Sequence, residues 1–461
     1  MVQLGELATI VRGISFPKDD KRSEPLPGHV ACLRTTNVQR SVEWDDLWFV
    51  PEAHVKREEQ FVRTGDILIS TANSYELVGK VAPVHGLPHK ATLGAFISLI
   101  RPNDSVDPKF LYHQLAWGKT QGRIRGTAST TTNISNVSTK KLLALDLFVP
   151  ELDEQRRIVA EIDKQFSRLD EAVANLQRVK ANLKRYKAAV LKAAVEGRLV
   201  EIEASLARRE GRSYETGEQL LQRILEERRT EWSGKRKYRD PGSPEIEDLS
   251  ELPAGWAWAS PEQLSAGEPH SLAIGPFGSS LKVSDYKTEG VPLVFVRNIR
   301  SGSFGGENAV YITAEKAEEL SAHSVGAGDI LVTKMGDPPG DVCRYPASCP
   351  PAVITADCIK LRVTKVDVDP AFIEYAIASR IVQDQILGIT KGVAQLKVNL
   401  ANFSSIALPL PPRAEQTRIV AEVDHRLSIL REVEAEVDAN LQRAQALRQA
   451  TLTKAYAIGS E

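Results

Sequence analysis

The chain contains two similar copies of one sequence pattern, and the offset between matching segments drifts only from 261 to 263 residues. The run EQRRIVAEID at 154–163 reappears as EQTRIVAEVD at 415–424. Upstream, GDILIS at 65–70 matches GDILVT at 328–333. Solenoid proteins repeat at periods of about 20 to 50 residues. The much longer period here therefore indicates a duplicated pair of domains, each copy of which folds as a unit.

Each copy predicts a strand-rich part followed by a helical part, with prolines at the boundary: Pro150 in the first copy, Pro411 and Pro412 in the second. Short apolar runs bounded by Gly, Pro, Asp or Asn predict the strands. These runs are 67–70, 96–100, 293–296, 330–333 and 359–363. We predict five segments: strand-rich domain 1–150, helical region 151–200, linker with a helix 201–252, strand-rich domain 253–411 and helical region 412–461.

Both helical regions carry apolar residues at the alternating four-three spacing of a heptad seam. The seam positions are Phe166, Leu169, Val173, Leu176 and Leu183 in the first region and Leu427, Leu430, Val437 and Leu441 in the second. Lys180, Lys187 and Glu434 interrupt the seam, which is typical of a short and specific pairing. A helix from residue 153 to about 195 would extend roughly 60 Å at ~1.5 Å per residue. We predict that the two helices form a coiled coil.

Composition excludes several classes of protein. The net charge is −1, so any surface for nucleic acid must be local. No uncharged apolar run approaches the roughly 18 residues of a membrane span, and the first residues do not resemble a signal peptide. We therefore expect a cytoplasmic protein. The four cysteines have no Cys-x-x-Cys or paired-histidine pattern, so we expect no metal site.

Short motifs of DNA enzymes are present only in fragments. Gly118-Lys119-Thr120 resembles the end of a phosphate-binding loop, but His113 stands where that loop requires glycine. Asp337-Pro338-Pro339 resembles part of an amino-methyltransferase signature, but glycine follows in place of the aromatic residue, and a proline turn explains the segment equally well. No nuclease carboxylate cluster or Ser, His and Asp set stands out. We expect no catalytic residue, bound cofactor or metal in this chain.

Two stretches at the same place in both copies, 108–145 and 385–414, contain no Asp or Glu. Their basic residues indicate surfaces that face phosphates, although a solvated basic face or a region covered by another domain would have the same composition. Base readout requires Arg, Lys, Asn or Gln on loops that reach a groove. The loops after the two GDIL strands differ between copies, as unlike half-sites would require, but loops also vary without function. The basic run at 235–239 is interpreted as solvated.

The residues that we predict at nucleic acid are Arg34, Asn37, Arg40, Asn73, Tyr75, Lys119, Arg123 and Arg125 in the first copy and Arg297, Asn298, Arg300, Lys334, Lys391, Gln395 and Lys397 in the second. Within these sets, we align Arg34, Asn37 and Arg40 with Arg297, Asn298 and Arg300.

The repeated motifs resemble the type I restriction-modification specificity subunits. The runs PELDEQRRIV at 150–159 and LPPRAEQTRIV at 410–420 are similar to the signature that begins each helical region of that family. GDIL at 65–68 and LPAGWAW at 252–258 resemble its recognition-domain core and the lead-in to its second recognition domain. The resemblance covers essentially the whole chain, and the order and duplication of the motifs are more specific than any one of them.

The resemblance implies an α+β fold in which two target-recognition domains alternate with two long helices that pair as an antiparallel coiled coil. Each domain would read one half of a bipartite double-stranded DNA target, and the helices would set the spacer. Two methyltransferase subunits would supply S-adenosylmethionine chemistry, and restriction and translocase subunits would supply ATP- and Mg²⁺-dependent work. An alternative is the recognition subunit of a methylation-only or related phage-defence complex.

Overall fold

The structure, a computed structural model, describes residues 1–131, 134–232, 237–247, 249–305, 309–364, 367–390 and 396–457. The chain divides into two compact units. Unit 1 comprises Met1–Arg178 and Val437–Glu461, and unit 2 comprises Val179–Glu436. The predicted segments follow chain order, whereas each unit combines one strand-rich domain with half of each long helix.

Unit 1 is built from twelve strands and four short helices in its described residues, together with parts of the two long helices. The strands are β1 Val2–Gln3, β2 Ala8–Arg12, β3 His29–Leu33, β4 Trp48–Pro51, β5 Ile67–Ser70, β6 Ala72–Asn73, β7 Val81–Pro83, β8 Ala91–Leu93, β9 Ile97–Pro102, β10 Ala128–Thr131, β11 Ile134–Val137 and β12 Asp146–Leu147. The helices are α1 Leu4–Leu7, α2 Pro108–Ala116, α3 Gly118–Gly126, α4 Thr139–Leu143 and the long helix α5 Leu152–Val195.

Unit 2 repeats this plan. Its further helices are α6 Glu203–Glu210, α7 Gly217–Thr230, α8 Pro261–Leu264, α9 Ala314–Glu319, α10 Pro370–Ala378, α11 Arg380–Gly388, α12 Leu400–Ser404 and the long helix α13 Arg413–Tyr456. Its strands are β13 Ala257–Ala259, β14 Leu272–Ile274, β15 Val291–Val294, β16 Ile299–Arg300, β17 Ser303–Phe304, β18 Tyr311–Ile312, β19 Ser324–Val325, β20 Ile330–Thr333, β21 Val342–Arg344, β22 Ala352–Ile354, β23 Cys358–Leu361 and β24 Leu408–Leu410.

The two strand-rich domains share their sheet topology. The order β2-β9-β5-β7 in unit 1 corresponds to β14-β23-β20-β21 in unit 2. A second sheet, β4-β3-β8, corresponds to β18-β15-β22-β19, and each contains one parallel pair, β3 with β8 and β15 with β22. The duplication read from the sequence is therefore a duplication of the fold.

The GDIL strands lie between two hydrophobic clusters, which explains why every residue of β5 and β20 is buried. Successive side chains of a strand point to opposite faces. Ile67 and Ile69 accordingly pack into one cluster of unit 1, while Leu68 packs into another. The glycine that precedes each motif is required by the backbone, because Gly65 and Gly328 have φ values of 90° and 86°.

The acid in the same motif is buried and paired. Asp66 accepts two hydrogen bonds from Arg101, at 2.8 and 2.7 Å. Asp329 accepts two from Arg362, both at 2.8 Å. A bidentate pair satisfies both carboxylate oxygens, so this motif fixes strand to strand and leaves no carboxylate for chemistry.

The long helices pair in an antiparallel sense. In unit 1, the early part of α5 meets the late part of α13: the Arg448 guanidinium lies 4.0 Å from the Phe166 ring centroid and pairs with Asp170. In unit 2, Val190 near the end of α5 shares a cluster with Val423 near the start of α13. The predicted α+β fold with an antiparallel coiled coil is confirmed.

The segment predicted as a linker is part of the core of unit 2. Leu220 and Ile224 of α7 are 0% and 1% exposed and pack in the same cluster as Trp256 and Phe372. The amphipathic stretch was predicted, but its burial depends on residues distant in sequence. The four cysteines are free thiols.

Candidate nucleic-acid interface

The glutamine of the repeated Glu-Gln motif joins each long helix to its strand-rich domain. Gln155, 1% exposed, accepts a hydrogen bond from the Asp107 amide at 2.8 Å and donates to the Pro150 carbonyl at 2.8 Å. Gln416, fully buried, makes the same two bonds with Asp369 and Pro411, at 2.8 and 3.0 Å. The motif is repeated because it performs the same structural task twice.

The glutamate beside it differs between the copies. Glu154 is only partly buried and pairs with Arg157 on its own helix. Glu415 is fully buried and accepts hydrogen bonds from the Trp256 indole at 3.0 Å and the Glu203 amide at 2.8 Å. Burial raises the pKa of Glu415, opposed by these hydrogen bonds. The lead-in containing Trp256 is thereby fastened to α13.

Two predicted base-reading residues have a structural task. The Asn37 side chain is 2% exposed; it accepts from the Arg34 amide at 2.8 Å and donates to the Glu43 carbonyl at 3.0 Å. Asn298 accepts from the Phe295 amide at 2.8 Å in the same way. In this arrangement both amides hold a turn.

This turn also corrects the alignment of the two copies. Because Asn37 corresponds to Asn298, the place of Arg34 is taken by Phe295, so the predicted correspondence between Arg34 and Arg297 is wrong. The guanidinium of Arg34 lies 4.4 Å from the Trp48 ring centroid, whereas that of Arg297 lies 4.1 Å from Phe295. The spacing of arginines in sequence did not reveal which residue stands just before the turn that Asn37 or Asn298 holds.

Arg40 and Arg300 also differ. Arg40 pairs with Asp170 of the long helix, which also pairs with Arg448. Arg300 is exposed and donates to the Ile299 carbonyl at 3.2 Å. Arg40 thus contributes to the contact between strand-rich domain and helix in unit 1.

The loop after each GDIL strand lies beside the acid-free stretch of the same copy. In unit 1, β6 pairs with β11, with Asn73 opposite Ser135. In unit 2, Met335 forms a bridge with Lys397, and the Val398 amide donates to the Lys334 carbonyl at 3.0 Å. Both copies therefore bring together two stretches that the sequence singled out separately.

The exposed side chains at this juxtaposition are suited to DNA. Tyr75 is 55% exposed, and Lys397 is exposed. The Lys334 ammonium lies 5.5 Å from the ring centroid of Phe277, which is 65% exposed. Cations supply phosphate contacts, and aromatic rings offer faces for bases. Lys391 and Gln395, predicted at the same place, lie outside the described residues.

Three predicted cations lie elsewhere, on α3. Lys119 stands beside Trp117, whose indole donates to Thr453 of α13 at 2.9 Å. Arg123 donates to the Asp146 carbonyl at 2.8 Å, and Arg125 is half-buried. The chain continues from α3 into β10, which pairs with β11, the neighbour of β6 in the loop of residues 71–75.

The predicted seam positions are all at least half-buried. Phe166, Leu430 and Val437 are buried, and the intermediate positions are Leu169, Val173, Leu176, Leu183, Leu427 and Leu441. Two helices alone cover a seam only partly, so intermediate exposure is the expected result.

The cysteines and the Asp-Pro-Pro segment are held in structural contacts. Burial raises the pKa of Cys32, Cys343 and Cys358 to about 12, which keeps these thiols neutral at physiological pH. Thr333 accepts from the amides of Gly340 and Asp341, both at 2.9 Å, and closes the turn of the Asp-Pro-Pro segment. Among the described residues, no group of three or more His, Cys, Asp or Glu is placed to hold a metal ion.

Comparison with known proteins agrees with this duplicated architecture. A family model described as the type I restriction modification DNA specificity domain matches residues 1–185 and 308–438. The chain belongs to this family. The resemblance noted in the sequence is thereby confirmed. The first matched region contains the strand-rich domain of unit 1 and part of α5, and the second contains most of the strand-rich domain of unit 2 and part of α13.

Individual relatives span nearly the whole of this specificity chain. The EcoKI specificity subunit of Escherichia coli K12 is 24% identical, covering 98% of this chain and 86% of the relative. The StySPI specificity subunit of Salmonella potsdam is 23% identical with the same coverage, 98% and 86%. A chain from a solved structure concerning complex assembly and conformational transition of the type I R-M system aligns with a TM-score of 0.61 and 18% identity, covering 99% of this chain and 96% of that one. This last likeness supports the fold.

In the described parts of the chain, no helix combines the length and hydropathy that crossing a bilayer requires.

Proposed function

We propose that each strand-rich domain reads one half of a bipartite DNA target and that the two long helices set the spacer between the halves. The observation that carries the proposal is the repetition of one domain architecture: corresponding sheets, an Asp-Arg pair and a buried glutamine occur in both copies. A DNA target in two parts requires two recognition domains, and this chain contains two copies of one such domain.

The reading surface is the juxtaposition of the GDIL loop with the acid-free stretch. Its residues differ between copies, because Ala72 pairs with Asn136 in unit 1 whereas Met335 is bridged to Lys397 in unit 2. A shared frame with different loops gives two different half-sites. Lys119, Arg123 and Arg125 would contact phosphates outside the bases that are read.

The helices are suited to the spacer role because each is continuous over 44 residues. At ~1.5 Å per residue each is about 66 Å long, which exceeds the ~34 Å of one DNA turn. The outer faces of this coiled coil would carry methyltransferase and restriction-translocase subunits.

The chemistry would belong to those partners. S-adenosylmethionine, ATP and Mg²⁺ would bind on them, and this chain would supply recognition alone. In support, its buried thiols are neutral and its paired carboxylates are engaged in structural contacts.

The decisive experiment is to map N6-methyladenine in DNA from cells that express this chain with its methyltransferase partner. We expect a motif of two short parts separated by a fixed gap, lost when the chain is omitted. A continuous motif would contradict the proposal. Retention of methylation without any restriction of unmodified phage would instead favour a methylation-only complex.

A further inference from the structure

The first strand-rich domain contains a cavity of about 560 Å³ that opens to the surface beside the Trp48 indole. Its walls include three aromatic rings, those of Phe16, Trp48 and Phe96. Sites for small ligands occupy about 300 to 1,000 Å³ and are lined mostly by apolar and aromatic groups. The cavity therefore has the size and lining of a site for one planar ring with its substituents.

Cations stand at the same cavity. Lys18, Lys21 and Arg34 line it, and none of the described residues that line it is acidic. The Lys21 ammonium and the Arg34 guanidinium each lie 4.4 Å from the ring centroid of Trp48. The occupant that fits these walls carries both an aromatic ring and a negative charge.

Arg34 has unused capacity for hydrogen bonding. Its Nη2 donates to the carboxylate of Asp46, at 2.6 Å, and that side chain is 82% exposed. Its Nε is buried and has no acceptor among the described residues. A buried donor without a partner is uncommon in folded proteins, and a phosphate or base oxygen entering the cavity would supply the acceptor.

The cavity adjoins the proposed reading surface. The carbonyl of Phe96 accepts hydrogen bonds from the amides of Thr71 and Ala72, at 2.9 and 3.1 Å. Phe96 itself is 60% exposed. A nucleotide of DNA bound along the loop of residues 71–75 would thus lie next to the cavity mouth.

The corresponding place in unit 2 is built differently. Phe295 stands where Arg34 stands in unit 1, and it packs against Tyr286 with ring centroids 6.0 Å apart. Val310, which lies just before β18 and whose carbonyl accepts from the Leu293 amide, takes the place of Trp48. Unit 2 also has aromatic rings and cations here, with Arg297 over Phe295 and Lys334 over Phe277, but the indole of Trp48 with Lys21 and Arg34 beside it belongs to unit 1.

We infer that this cavity binds one unstacked nucleotide of the target DNA, with its base among the rings of Phe16, Trp48 and Phe96 and its phosphate at Lys21 and Arg34. Bases stack on aromatic side chains whatever their sequence, and a nucleotide leaves a duplex most readily where its pairing is already weak. The inference rests on the proposed function, because it requires DNA on the adjoining loop. It adds that the first half-site is read with one nucleotide outside the helix, at the Trp48 cavity.

The test uses the full chain and duplex DNA that carries its mapped target, with a single mismatch moved through both half-sites. Each mismatch breaks one base pair, so the protein need not unpair the nucleotide at that position. For the wild-type chain, we expect a mismatch at one position of the first half-site to tighten binding about tenfold or more, and mismatches elsewhere to weaken it. Lys21→Ala and Trp48→Ala should remove that gain.

Matched variants separate a site from a folding effect. Trp48→Phe retains an aromatic face and should keep the gain, whereas Phe277→Ala, on the proposed DNA surface of unit 2, should weaken binding to matched and mismatched duplexes alike and leave the gain in the first half-site unchanged. Lys21 is a surface cation, so Lys21→Ala tests the site without emptying the core. A wild-type profile in which every mismatch weakens binding overturns the inference and leaves the proposed function intact.

A second arm distinguishes the source of the nucleotide. Free deoxynucleoside monophosphates and inorganic phosphate are titrated against the full chain, with tryptophan fluorescence as the readout. Monophosphates that bind without any position-specific mismatch gain would assign the cavity to a free nucleotide and overturn the DNA inference. Failure to bind the intact duplex at all would overturn both the inference and the proposed function.

Discussion

A heptad inserted after Arg178 in α5 together with one after Glu436 in α13 tests whether the long helices set the spacer. These are the points at which each helix passes from one compact unit to the other. Seven residues preserve the heptad register of both helices. At ~1.5 Å per residue, they lengthen each helix by about 10 Å. Because successive phosphates of one strand are about 3.4 Å apart along the DNA axis, we expect a spacer longer by about three base pairs.

The twist of DNA sharpens this expectation. A turn contains about 10 base pairs, so three added base pairs rotate one half-site by roughly 100° relative to the other. Methylation should therefore be weaker with one added heptad in each helix. Three heptads add about 31 Å, which approaches the ~34 Å of a full turn. With three, methylation should recover on a spacer longer by nine or ten base pairs.

The assay is the map of N6-methyladenine in cells that express each variant with its methyltransferase partner. Four residues inserted between Asp170 and Lys184 of α5, about one helical turn, should also change the spacer and leave both half-sites unchanged. Both half-sites should stay unchanged throughout the heptad series. If the three-heptad variant methylates targets with the original spacer, the helices do not set the distance and that part of the reasoning is refuted.

Three further predictions concern stability, each read from urea unfolding. Gln416→Ala leaves two buried backbone groups without partners and should lower the free energy of unfolding by about 2 to 5 kcal/mol. Arg362→Met leaves the buried Asp329 carboxylate unpaired and should lower it by about 3 to 5 kcal/mol, whereas Arg380→Met, at a pair exposed to solvent, should change it by less than about 1 kcal/mol. Burial lowers the pKa of His113 below 6.5, so wild-type stability should fall as pH decreases from 6.5 through the folded pKa, and His113→Gln should reduce that slope; equal slopes would contradict the assignment.

The sequence predicted the repeated frame well because its constraints are local. The glycine with positive φ and the apolar strand form one short motif, and the seam follows from heptad spacing. The strands at 67–70 and 330–333 were predicted with the bounds that the structure has. The strand predicted at 293–296 is in fact Val291–Val294, because Val296 begins a 3-10 turn.

Features that depend on distant residues were not predicted. The helices α2 and α10 were missed although both begin at a proline after a capping aspartate, a signal that the Asp-Pro pairs at 107–108 and 369–370 would have given. The burial of α7 was missed because its amphipathic face is the same whether it packs in a core or lies on a surface. Only the tertiary structure shows which of these occurs.

At the candidate site, residue type alone does not separate contact with DNA from a structural role. An asparagine amide can read adenine or hold a turn with the same donor and acceptor atoms, so the types of Asn37 and Asn298 could not separate the two roles. Arg34 was selected as a base reader without knowledge of Trp48, which is 14 positions away and adjoins it only through the pairing of β3 with β4. The remaining candidates at the loop surface stay predictions until DNA binding is measured.

The differences between the copies carry more information about specificity than the similarities. Gln155 and Gln416 make identical bonds, so their repetition reflects the frame and would persist whatever the target. Arg34 and Phe295 occupy one position in that frame with unlike chemistry, a cation in one copy and an apolar ring in the other. Exchange of these two residues is therefore the smallest change that should alter how the first half-site is read while leaving both frames folded.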